Sequence, residues 1–494
     1  MQLALSGPQE VLESVYGYTT FRPGQREIID AVLAGRDCIG VMPTGAGKSL
    51  TFQVPAKLLG GTVLVLSPLI SLMKDQVDAL ERLGFRAAVL NSTLDEAERT
   101  QRLREVRHGL LELLYVAPEA LGTSLRALLS SCPIKLIVVD EAHCISHWGH
   151  DFRPAYRQLR NLKSQFGDVP VLALTATATR RVAYDIVREL GMRKPAGYKG
   201  SFYRPNLRLF AHKKGTGRDM RGDILGMVRA HRGESGIVYC GSRRAVDQLT
   251  GWLNARAVRA LPYHAGMDDR TRAANQEAFA RDQAEVVVAT VAFGMGIDKS
   301  NVRYVIHRDM PRSIEAWYQE IGRAGRDSLV SDIVTFYSWA DVIAYDAFLK
   351  DVADSSLRLE TRTRTVDLFR LLDRRGCRHQ ALVRYFDEHI APCRQSCDQC
   401  LDIGIDALLP AAASRVATPT GPSDHPDVFE RLRALRRNIA DAEGVPAYVV
   451  FSDATLREMA RRLPKNEVEL RTVSGVGPAK ALRYGARFLD ALRG

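Results

Sequence analysis

Short apolar runs alternate with amphipathic stretches along residues 24–200 of the chain. Strands buried on both faces of a parallel sheet read as continuous apolar runs, and the stretches between them have the periodicity of helices that pack on one face. The alternation therefore predicts βα units and a parallel sheet. The predicted strands are Cys38–Met42, Thr62–Ser67, Leu113–Val116, Ile134–Val139 and Val171–Leu174.

The same alternation begins again after about residue 205 and predicts a second parallel sheet. We therefore expect two similar α/β domains in tandem, residues 1–204 and 205–341, with a cleft between them. The strands predicted for the second domain are Gly236–Cys240, Ala260–His264, Glu285–Ala289, Val302–Ile306 and Ile333–Tyr337.

The rest of the chain lacks this alternation. Residues 342–403 have helical periodicity and end in a group of cysteines, and residues 426–494 have the pattern of a small all-α domain. Residues 404–425 are rich in Ala, Pro, Ser, Thr and Gly, which predicts a flexible linker. The predicted fold is α/β, with a helical module and an all-α domain after the two sheets.

The length and composition of the chain are typical of a soluble protein with several domains. The 494 residues exceed one ordinary domain, and 46% hydrophobic with 26% charged residues is typical of globular proteins. No apolar run approaches the ~18–20 residues that cross a bilayer, and the N-terminus lacks signal-peptide features, so we expect a cytoplasmic protein without a membrane segment. The net charge of +12 favours a polyanionic partner, with a basic solvated surface as the alternative.

A glycine-rich loop, MPTGAGKS (42–49), follows the first predicted strand and precedes a helical pattern. This is a P-loop, in which backbone N–H groups close on phosphate, Lys48 reaches the β- and γ-phosphates and the Ser49 hydroxyl binds Mg²⁺. Met42 replaces the first glycine of the strict motif. The ATP-binding residues predicted in this loop are Thr44, Gly45, Gly47, Lys48 and Ser49.

Two carboxylates, Asp140 and Glu141, follow the predicted strand Ile134–Val139, at the end where open α/β sheets bind ligands. We expect Asp140 to hold Mg²⁺ and Glu141 to position or deprotonate the attacking water. The next segment, 146–153, combines aromatic and cationic residues suited to bases and phosphates. The neighbourhood indicates a protein that couples nucleotide hydrolysis to a nucleic acid strand.

Two other segments fit a nucleotide site. Upstream of the P-loop, Gln25 can pair with an adenine edge while Tyr18 and Arg22 stack on its ring; an ordinary turn with core aromatics is the alternative. In the second domain, Arg323 and Arg326 are spaced to share one helical face and can stabilise phosphoryl transfer. A solvated basic helix face is the alternative for these arginines.

These blocks, taken in order, resemble the RecQ family of DNA helicases within helicase superfamily 2. The resemblance implies two RecA-like domains, ATP and Mg²⁺ as cofactors, and 3′→5′ helicase activity on single-stranded and tailed or branched duplex DNA in repair, recombination and replication-fork processing. The matching blocks are FRPGQ (21–25), MPTGAGKS (42–49), LSPLISLMKDQ (66–76), DEAHCISHWGHDFRP (140–154), LTATAT (174–179), YCGSR (239–243), YHAG (263–266), VVVATVAFGMGIDKSNVR (286–303) and QEIGRAGRD (319–327).

The resemblance also implies roles for individual residues. Trp148 and Phe152 match the aromatics of a loop that links DNA binding to ATP hydrolysis, with His150 and Arg153 as its polar coupling residues. Further expected catalytic residues in the second domain are Gln319, Arg323 and Arg326, and Arg326 is the first choice for the arginine finger.

Four cysteines near the end of the helical module have the spacing C-x15-C-x3-C-x2-C. Four thiolates at such a spacing fit a closed, tetrahedral, structural Zn²⁺ site. A pair of disulfides is the alternative, which a reducing cytoplasm disfavours. RecQ proteins carry a four-cysteine zinc module at this point. The predicted ligands are Cys377, Cys393, Cys397 and Cys400.

The C-terminal segment resembles an HRDC domain through residues 445–460 and 473–492. Tyr448 and Lys480 are predicted DNA contacts there, with helix packing as the rival interpretation. Residues 401–425 are too few for the winged-helix domain that bacterial relatives place after the zinc module. We therefore expect that domain to be absent, docking of single-strand-binding protein to be doubtful, and other repair proteins to be the protein partners.

Two rival functions stay open from the sequence. RNA-remodelling ATPases share the two-domain core, but the cysteine cluster, the aromatic loop and the HRDC-like tail favour a DNA enzyme. A non-catalytic DNA scaffold is disfavoured because Lys48, Asp140, Glu141 and Arg326 are all present.

Overall fold

The computed structural model describes residues 6–68, 70–91, 94–146, 153–291, 293, 299–349, 355–410 and 425–493. The chain forms two compact units, residues 1–201 and 202–494. Each unit is built on its own parallel sheet, as the sequence predicts. None of the helices in these described ranges combines the length and the apolar character that a bilayer crossing requires.

The first unit contains a seven-stranded parallel sheet in the order β3-β4-β2-β5-β6-β1-β7. All five predicted strands are present, and two further strands, β3 and β7, went unpredicted. Edge strand β7 has the sequence AGYK and is only half-buried, so it lacks the apolar signal of a central strand. The strands are β1 Cys38–Val41, β2 Thr62–Leu66, β3 Ala87–Leu90, β4 Leu113–Val116, β5 Ile134–Val139, β6 Val171–Thr175 and β7 Ala196–Lys199.

Helices connect these strands and cover the sheet. The apolar side chains of β1, β2, β4, β5 and β6 form a core with those of the covering helices. The helices of this unit are α1 Pro8–Val11, continued by a π-turn at Leu12–Tyr16, α2 Gln25–Leu33, α3 Leu50–Leu58, α4 Ile70–Arg82, α5 Glu96–Arg107, α6 Thr123–Ser130, α7 Leu162–Phe166 and α8 Arg180–Leu190, with 3-10 turns at Pro118–Ala120, Ala142–Ile145 and Pro154–Leu159.

The second unit contains a six-stranded parallel sheet in the order β10-β11-β9-β12-β13-β8. Strand β8 was not predicted, because its sequence LRLFAHK mixes polar residues into the apolar run. The strands are β8 Leu207–Lys213, β9 Ser235–Tyr239, β10 Ala260–Tyr263, β11 Val286–Ala289, β12 Val302–His307 and β13 Ser331–Tyr337.

The helices of the second unit fall into three groups. The sheet carries α9 Met220–Ala230, α10 Arg243–Asn254, α11 Asp269–Ala280 and α12 Ile314–Ile321. The helical module contains α13 Trp339–Phe348, α14 Ser355–Asp373, α15 Arg378–Tyr385 and α16 Asp398–Leu401. The C-terminal domain contains α17 Pro426–Glu443, α18 Ala447–Val450, α19 Asp453–Arg462, α20 Glu467–Arg471 and α21 Pro478–Arg493.

The prediction of a flexible linker is wrong for its first residues. Residues Ile405–Leu408 form a 3-10 turn, and both Ile405 and Leu408 are buried in the core of the second sheet. A Cβ built on Gly226 of α9 would lie 2.8 Å from Leu409, so the segment packs closely on that helix. The sequence that follows is rich in Ala and Pro, so the buried positions of these apolar residues could not be recognised from composition. The rest of the predicted linker, 411–424, lies outside the described residues.

Candidate active site

The P-loop lies between β1 and α3 in a conformation that requires glycine. Gly45 and Gly47 have φ angles of +85° and +80°, in the left-handed region that side chains with a Cβ rarely adopt. A Cβ on Gly47 would also lie 2.5 Å from the side-chain nitrogen of Gln25. Lys48 and Ser49 follow directly, and Ser49 is the N-cap residue of α3.

Gln25 and Arg22 brace this loop from outside. The Gln25 side-chain amide donates to the carbonyls of Gly47 at 3.0 Å and Ala46 at 3.3 Å, and its oxygen accepts from the Arg22 N–H at 2.8 Å. The Arg22 guanidinium donates to the Gly45 carbonyl. Adenine recognition by Gln25 would replace bonds that now hold the loop, and that role stays a prediction. Tyr18 is 40% exposed, as stacking on a base requires.

The two predicted carboxylates lie at the carboxyl end of β5. Burial and the neighbouring Glu141 carboxylate raise the pKa of Asp140 to about 6, and the Lys48 ammonium opposes this. The charges of Asp140 and the P-loop lysine therefore influence each other, and their joint role in binding Mg²⁺ and ATP stays a prediction. A half-buried acidic pair of this kind is chemically suited to a cation, and Ser49 offers an oxygen ligand of the type that Mg²⁺ prefers.

Glu141 has an unusual backbone. Its φ of 47° and ψ of 44° are left-handed, a conformation that costs a non-glycine residue on the order of 1 kcal/mol. Its carboxylate lies 3.3 Å from Nδ1 of His143, and the same nitrogen is 2.9 Å from the Thr175 hydroxyl. Thr175 also donates to the Thr177 carbonyl at 3.0 Å. The end of β5 is thus connected through His143 to the end of β6.

The aromatic loop lies largely outside the described residues, which stop at Ser146 and resume at Arg153. The structure therefore does not test the roles of Trp148, His150 and Phe152. Both ends of the loop are anchored. The Ser146 hydroxyl donates to the Asp185 carboxylate at 2.8 Å, and the Arg153 guanidinium donates to the Pro68 carbonyl, just after β2, at 3.1 Å.

Tyr156 connects the base of the aromatic loop to the backbone of Asp140, and sequence reasoning missed this residue. Its side chain is fully buried, and its hydroxyl donates to the Asp140 carbonyl at 2.8 Å. Tyr156 lies three residues after Arg153, in the 3-10 turn Pro154–Leu159. A single tyrosine in a short polar turn carries no sequence signal for this contact. The bond ties the base of the aromatic loop to the backbone of the predicted Mg²⁺ ligand.

The arginine pair of the second unit does not lie on a helical face, so that prediction is wrong. Helix α12, which carries Gln319, ends at Ile321, and Arg323 and Arg326 occupy the turn around Gly325, whose φ is +58°. The helix thus ends before either arginine, and the left-handed backbone of Gly325 lies in the turn between them.

This turn lies at the amino-terminal edge of the second sheet. The Gly325 N–H donates to the carbonyl of Val302, the first residue of β12, at 2.9 Å. The Gly325 carbonyl accepts from Arg204 at 2.7 Å and from Asn206 at 2.9 Å, just before β8. A buried network also fixes α12 to β12, because His307 and Glu320 are 2.9 Å apart.

The four predicted zinc ligands lie together, with their sulfur atoms all within 4.8 Å of one another. Zn–S bonds of about 2.3 Å in a tetrahedron place sulfurs about 3.8 Å apart, so the cluster fits Zn²⁺. Although burial opposes ionisation of the Cys377 thiol, backbone N–H groups of Cys393 and Gln380 donate to it and leave its pKa lowered. All four cysteines are free of disulfides, which excludes the alternative pairing.

The two predicted DNA contacts of the C-terminal domain take part in packing. The Lys480 ammonium donates to the Val449 carbonyl at 2.8 Å and lies 5.6 Å from the centre of the Phe451 ring. Burial lowers its pKa to about 8. Tyr448 is half-buried and has contacts within the chain. These contacts favour the packing interpretation, and DNA binding by either residue stays a prediction.

Comparison with known proteins identifies the family. The chain matches the DEAD/DEAH box helicase family over residues 22–186, the helicase conserved C-terminal domain over 220–328, the RecQ zinc-binding family over 339–401 and the HRDC domain over 425–492. It is 37% identical to the ATP-dependent DNA helicase RecQ of Pasteurella multocida, covering 98% of this chain and 93% of that protein. The chain belongs to the RecQ family.

Other RecQ-family proteins show the same extent of similarity. The Bacillus subtilis ATP-dependent DNA helicase RecQ is 34% identical, over 98% of each chain. The cysteine cluster falls inside the matched zinc-binding region, so zinc is its metal. The zinc-binding and HRDC matches leave only residues 402–424 between them, fewer than the roughly 50 residues of a small domain.

Solved structures confirm the fold of the helicase core. Mycobacterium smegmatis helicase Lhr, bound to single-stranded DNA and AMP-PNP, matches with a TM-score of 0.54 at 17% identity, covering 90% of this chain and 72% of that one. Saccharomyces cerevisiae Dbp5 matches with a TM-score of 0.53 at 16% identity, covering 70% of this chain and 92% of that one. At these identities the likeness shows the fold alone.

The Tyr156 contact predicts a specific loss. Tyr156→Phe removes only the hydroxyl and leaves the buried Asp140 carbonyl without this donor, at a cost of about 1–3 kcal/mol. We expect DNA-stimulated ATP turnover to fall about tenfold while basal turnover is largely retained, measured as the ratio of the two rates. Tyr184→Phe, at a position that is 68% exposed in the same unit, is the control. Equal losses in both rates would make Tyr156 a purely structural residue.

The zinc cluster predicts coupled loss of metal and stability. Cys397→Ser should abolish stoichiometric zinc, measured by atomic absorption, and lower the Tm by about 5 °C or more, because structural zinc contributes directly to folding. Cys132→Ser is the matched control, since Cys132 lies in the first unit, where its sulfur donates to the Leu128 carbonyl. Full zinc content in the Cys397 variant would contradict the ligand assignment.

Proposed function

We propose that this RecQ-family protein is an ATP-dependent 3′→5′ DNA helicase and translocase that acts in repair, recombination and replication-fork processing. Its relatives from P. multocida, H. influenzae and B. subtilis bear the name ATP-dependent DNA helicase RecQ. The observation that carries the proposal is the connection at the end of β5. There, the Glu141 carboxylate lies 3.3 Å from His143, which is hydrogen-bonded to Thr175 on β6, and the Asp140 backbone carbonyl accepts from Tyr156 at the base of the aromatic loop.

The chemistry of the site follows from its charges. Lys48 and the N–H groups of the glycine loop bind the ATP phosphates, and Ser49 with Asp140 would hold Mg²⁺. When bound, Mg²⁺ neutralises the charge that develops on the transferred phosphoryl group. Glu141, held close to His143, orients the attacking water and accepts its proton.

Coupling to DNA works through the anchored ends of the loop. A strand that moves the loop pulls on Arg153, which is bonded to the Pro68 carbonyl, and on Tyr156, which is bonded to the Asp140 carbonyl. A shift of the Asp140 backbone changes the position of both carboxylates. The loop thereby converts DNA contact into a change at the hydrolytic centre, with Trp148, His150 and Phe152 as its proposed DNA-sensing residues.

The second domain completes the ATPase in this proposal. Arg326 is the first choice for the arginine that stabilises phosphoryl transfer, with Arg323 and Gln319 as its neighbours. The Gly325 turn supports this choice, because hydrogen bonds to Arg204, Asn206 and Val302 fix the backbone between the two arginines. A fixed backbone keeps a catalytic cation in place without reorganisation.

The partners follow from the activity. We propose single-stranded DNA and tailed or branched duplex as substrates, and other repair proteins as protein partners. Single-strand-binding protein is a doubtful partner, because only residues 402–424 lie where bacterial relatives place a winged helix. We place the enzyme in the cytoplasm with the nucleoid, where its substrate is.

The test compares polynucleotides and variants. We expect ATP turnover to be stimulated by single-stranded DNA far more than by RNA, and duplexes with 3′ tails or forks to be unwound in preference to duplexes with 5′ tails. Glu141→Gln should retain ATP binding and lose turnover by at least about a hundredfold. Stronger stimulation by RNA would favour an RNA-remodelling ATPase, and full turnover in Glu141→Gln would remove the carboxylate from its assigned role.

A further inference from the structure

The amino-terminal edge of the second sheet is in contact with the HRDC domain. The Arg433 guanidinium on α17 donates to the Gly233 carbonyl, just before β9, and the Arg437 guanidinium donates to the Asp282 carbonyl, before β11, at 3.4 Å. In the opposite direction, Arg281 donates to the Gly444 carbonyl, at the end of α17, at 3.0 Å. Two separate loops of the sheet thus bind one helix of the HRDC domain.

Opposite charges meet across the contact, although Arg436 also lies near Lys299 and Asp453 near Asp327. Burial raises the pKa of Glu234, while the nearby HRDC arginines Arg433 and Arg457 act to lower it. Burial acts to raise the pKa of Asp282, but Lys299 and, across the contact, Arg436 lower it, and the net shift is downward. Acidic groups of the sheet edge therefore face arginines of the HRDC domain.

The HRDC domain does not need this contact in order to fold. It has a hydrophobic core of its own, formed by residues between Val428 and Leu489. The three hydrogen bonds named above run from arginine side chains to backbone carbonyls. A polar contact between separately packed cores can open without unfolding either side, and salt weakens it.

We propose that the amino-terminal edge of the second sheet, formed by the loops 231–235 and 281–286, is a docking surface for the chain's own HRDC domain. The bound side of that domain is the arginine face of α17. Because docking occupies Arg433 and Arg437, a DNA phosphate backbone competes with the sheet edge for the same cations. The same edge carries the turn with Arg323 and Arg326, the arginines to which the proposed function assigns a part in phosphoryl transfer.

The test uses the full-length protein and charge reversal. The docking variant combines Arg433→Glu with Arg437→Glu. The control combines Arg471→Glu with Arg487→Glu, which makes the same change in net charge at two exposed positions of the same domain. Hydrogen exchange of the amides in 231–235 and 281–286 is read by mass spectrometry, and the maximum dimension of the protein is read by small-angle X-ray scattering.

Docking predicts about tenfold faster exchange in both loops and a larger maximum dimension for the docking variant, because each arginine replaced removes a charged hydrogen bond. The control variant should match the wild type. Wild-type protein in about 1 M salt, where the Debye length falls to about 3 Å, should resemble the docking variant. Arg281→Ala tests the contact from the side of the sheet and should shift exchange in the same direction.

Two outcomes would overturn the proposal. One is identical exchange and dimensions for the wild type, the docking variant and Arg281→Ala at low salt. The other is a docking variant that loses DNA affinity at matched salt while its exchange stays that of the wild type, which would make Arg433 and Arg437 DNA contacts alone. Unchanged far-ultraviolet circular dichroism confirms that the HRDC helices remain folded in each variant.

Discussion

The placement of two carboxylates at the end of one buried strand governs the rest of the ATPase. Strand β5 ends at Val139, and the left-handed backbone of Glu141 turns the chain so that it leaves the sheet at once. That strained turn brings His143 to Thr175 on β6 and allows Tyr156 to reach back to the Asp140 carbonyl. A non-glycine residue is retained there at a cost on the order of 1 kcal/mol, in the manner of strained functional sites.

Much of the fold follows from the sequence because parallel strands buried on both faces must be apolar throughout. Each of the ten predicted strands corresponds to a strand, with ends that differ by at most a few residues. Two of the three strands that escaped prediction lack that signal: β7 has Gly and Lys at an edge, and β8 mixes Arg and His into its run. The third, β3, is apolar, but it is an edge strand of four residues. Ile405 and Leu408 were concealed because they precede a Pro-rich stretch.

The chemical motifs were predictable because their residue types and spacings are dictated by phosphate and zinc geometry. The contacts that connect these motifs to one another were not predictable. Tyr156 and His143 bond to residues 16 and 32 positions away in the chain, and no local sequence pattern reports such bonds. The prediction of a helical face for the two arginines was wrong because spacing suggested a helix through both of them, whereas α12 already ends at Ile321.

The central claim is that the aromatic loop transmits DNA contact to the carboxylates rather than merely binding DNA. The most direct measurement compares DNA-stimulated ATP turnover with DNA affinity, at one salt concentration, for wild-type protein and Trp148→Ala. The account predicts that stimulation falls much more than affinity, because the anchored ends of the loop stay in place while its sensing side chain is removed. Equal loss of stimulation and affinity would contradict it and reduce the loop to a binding surface.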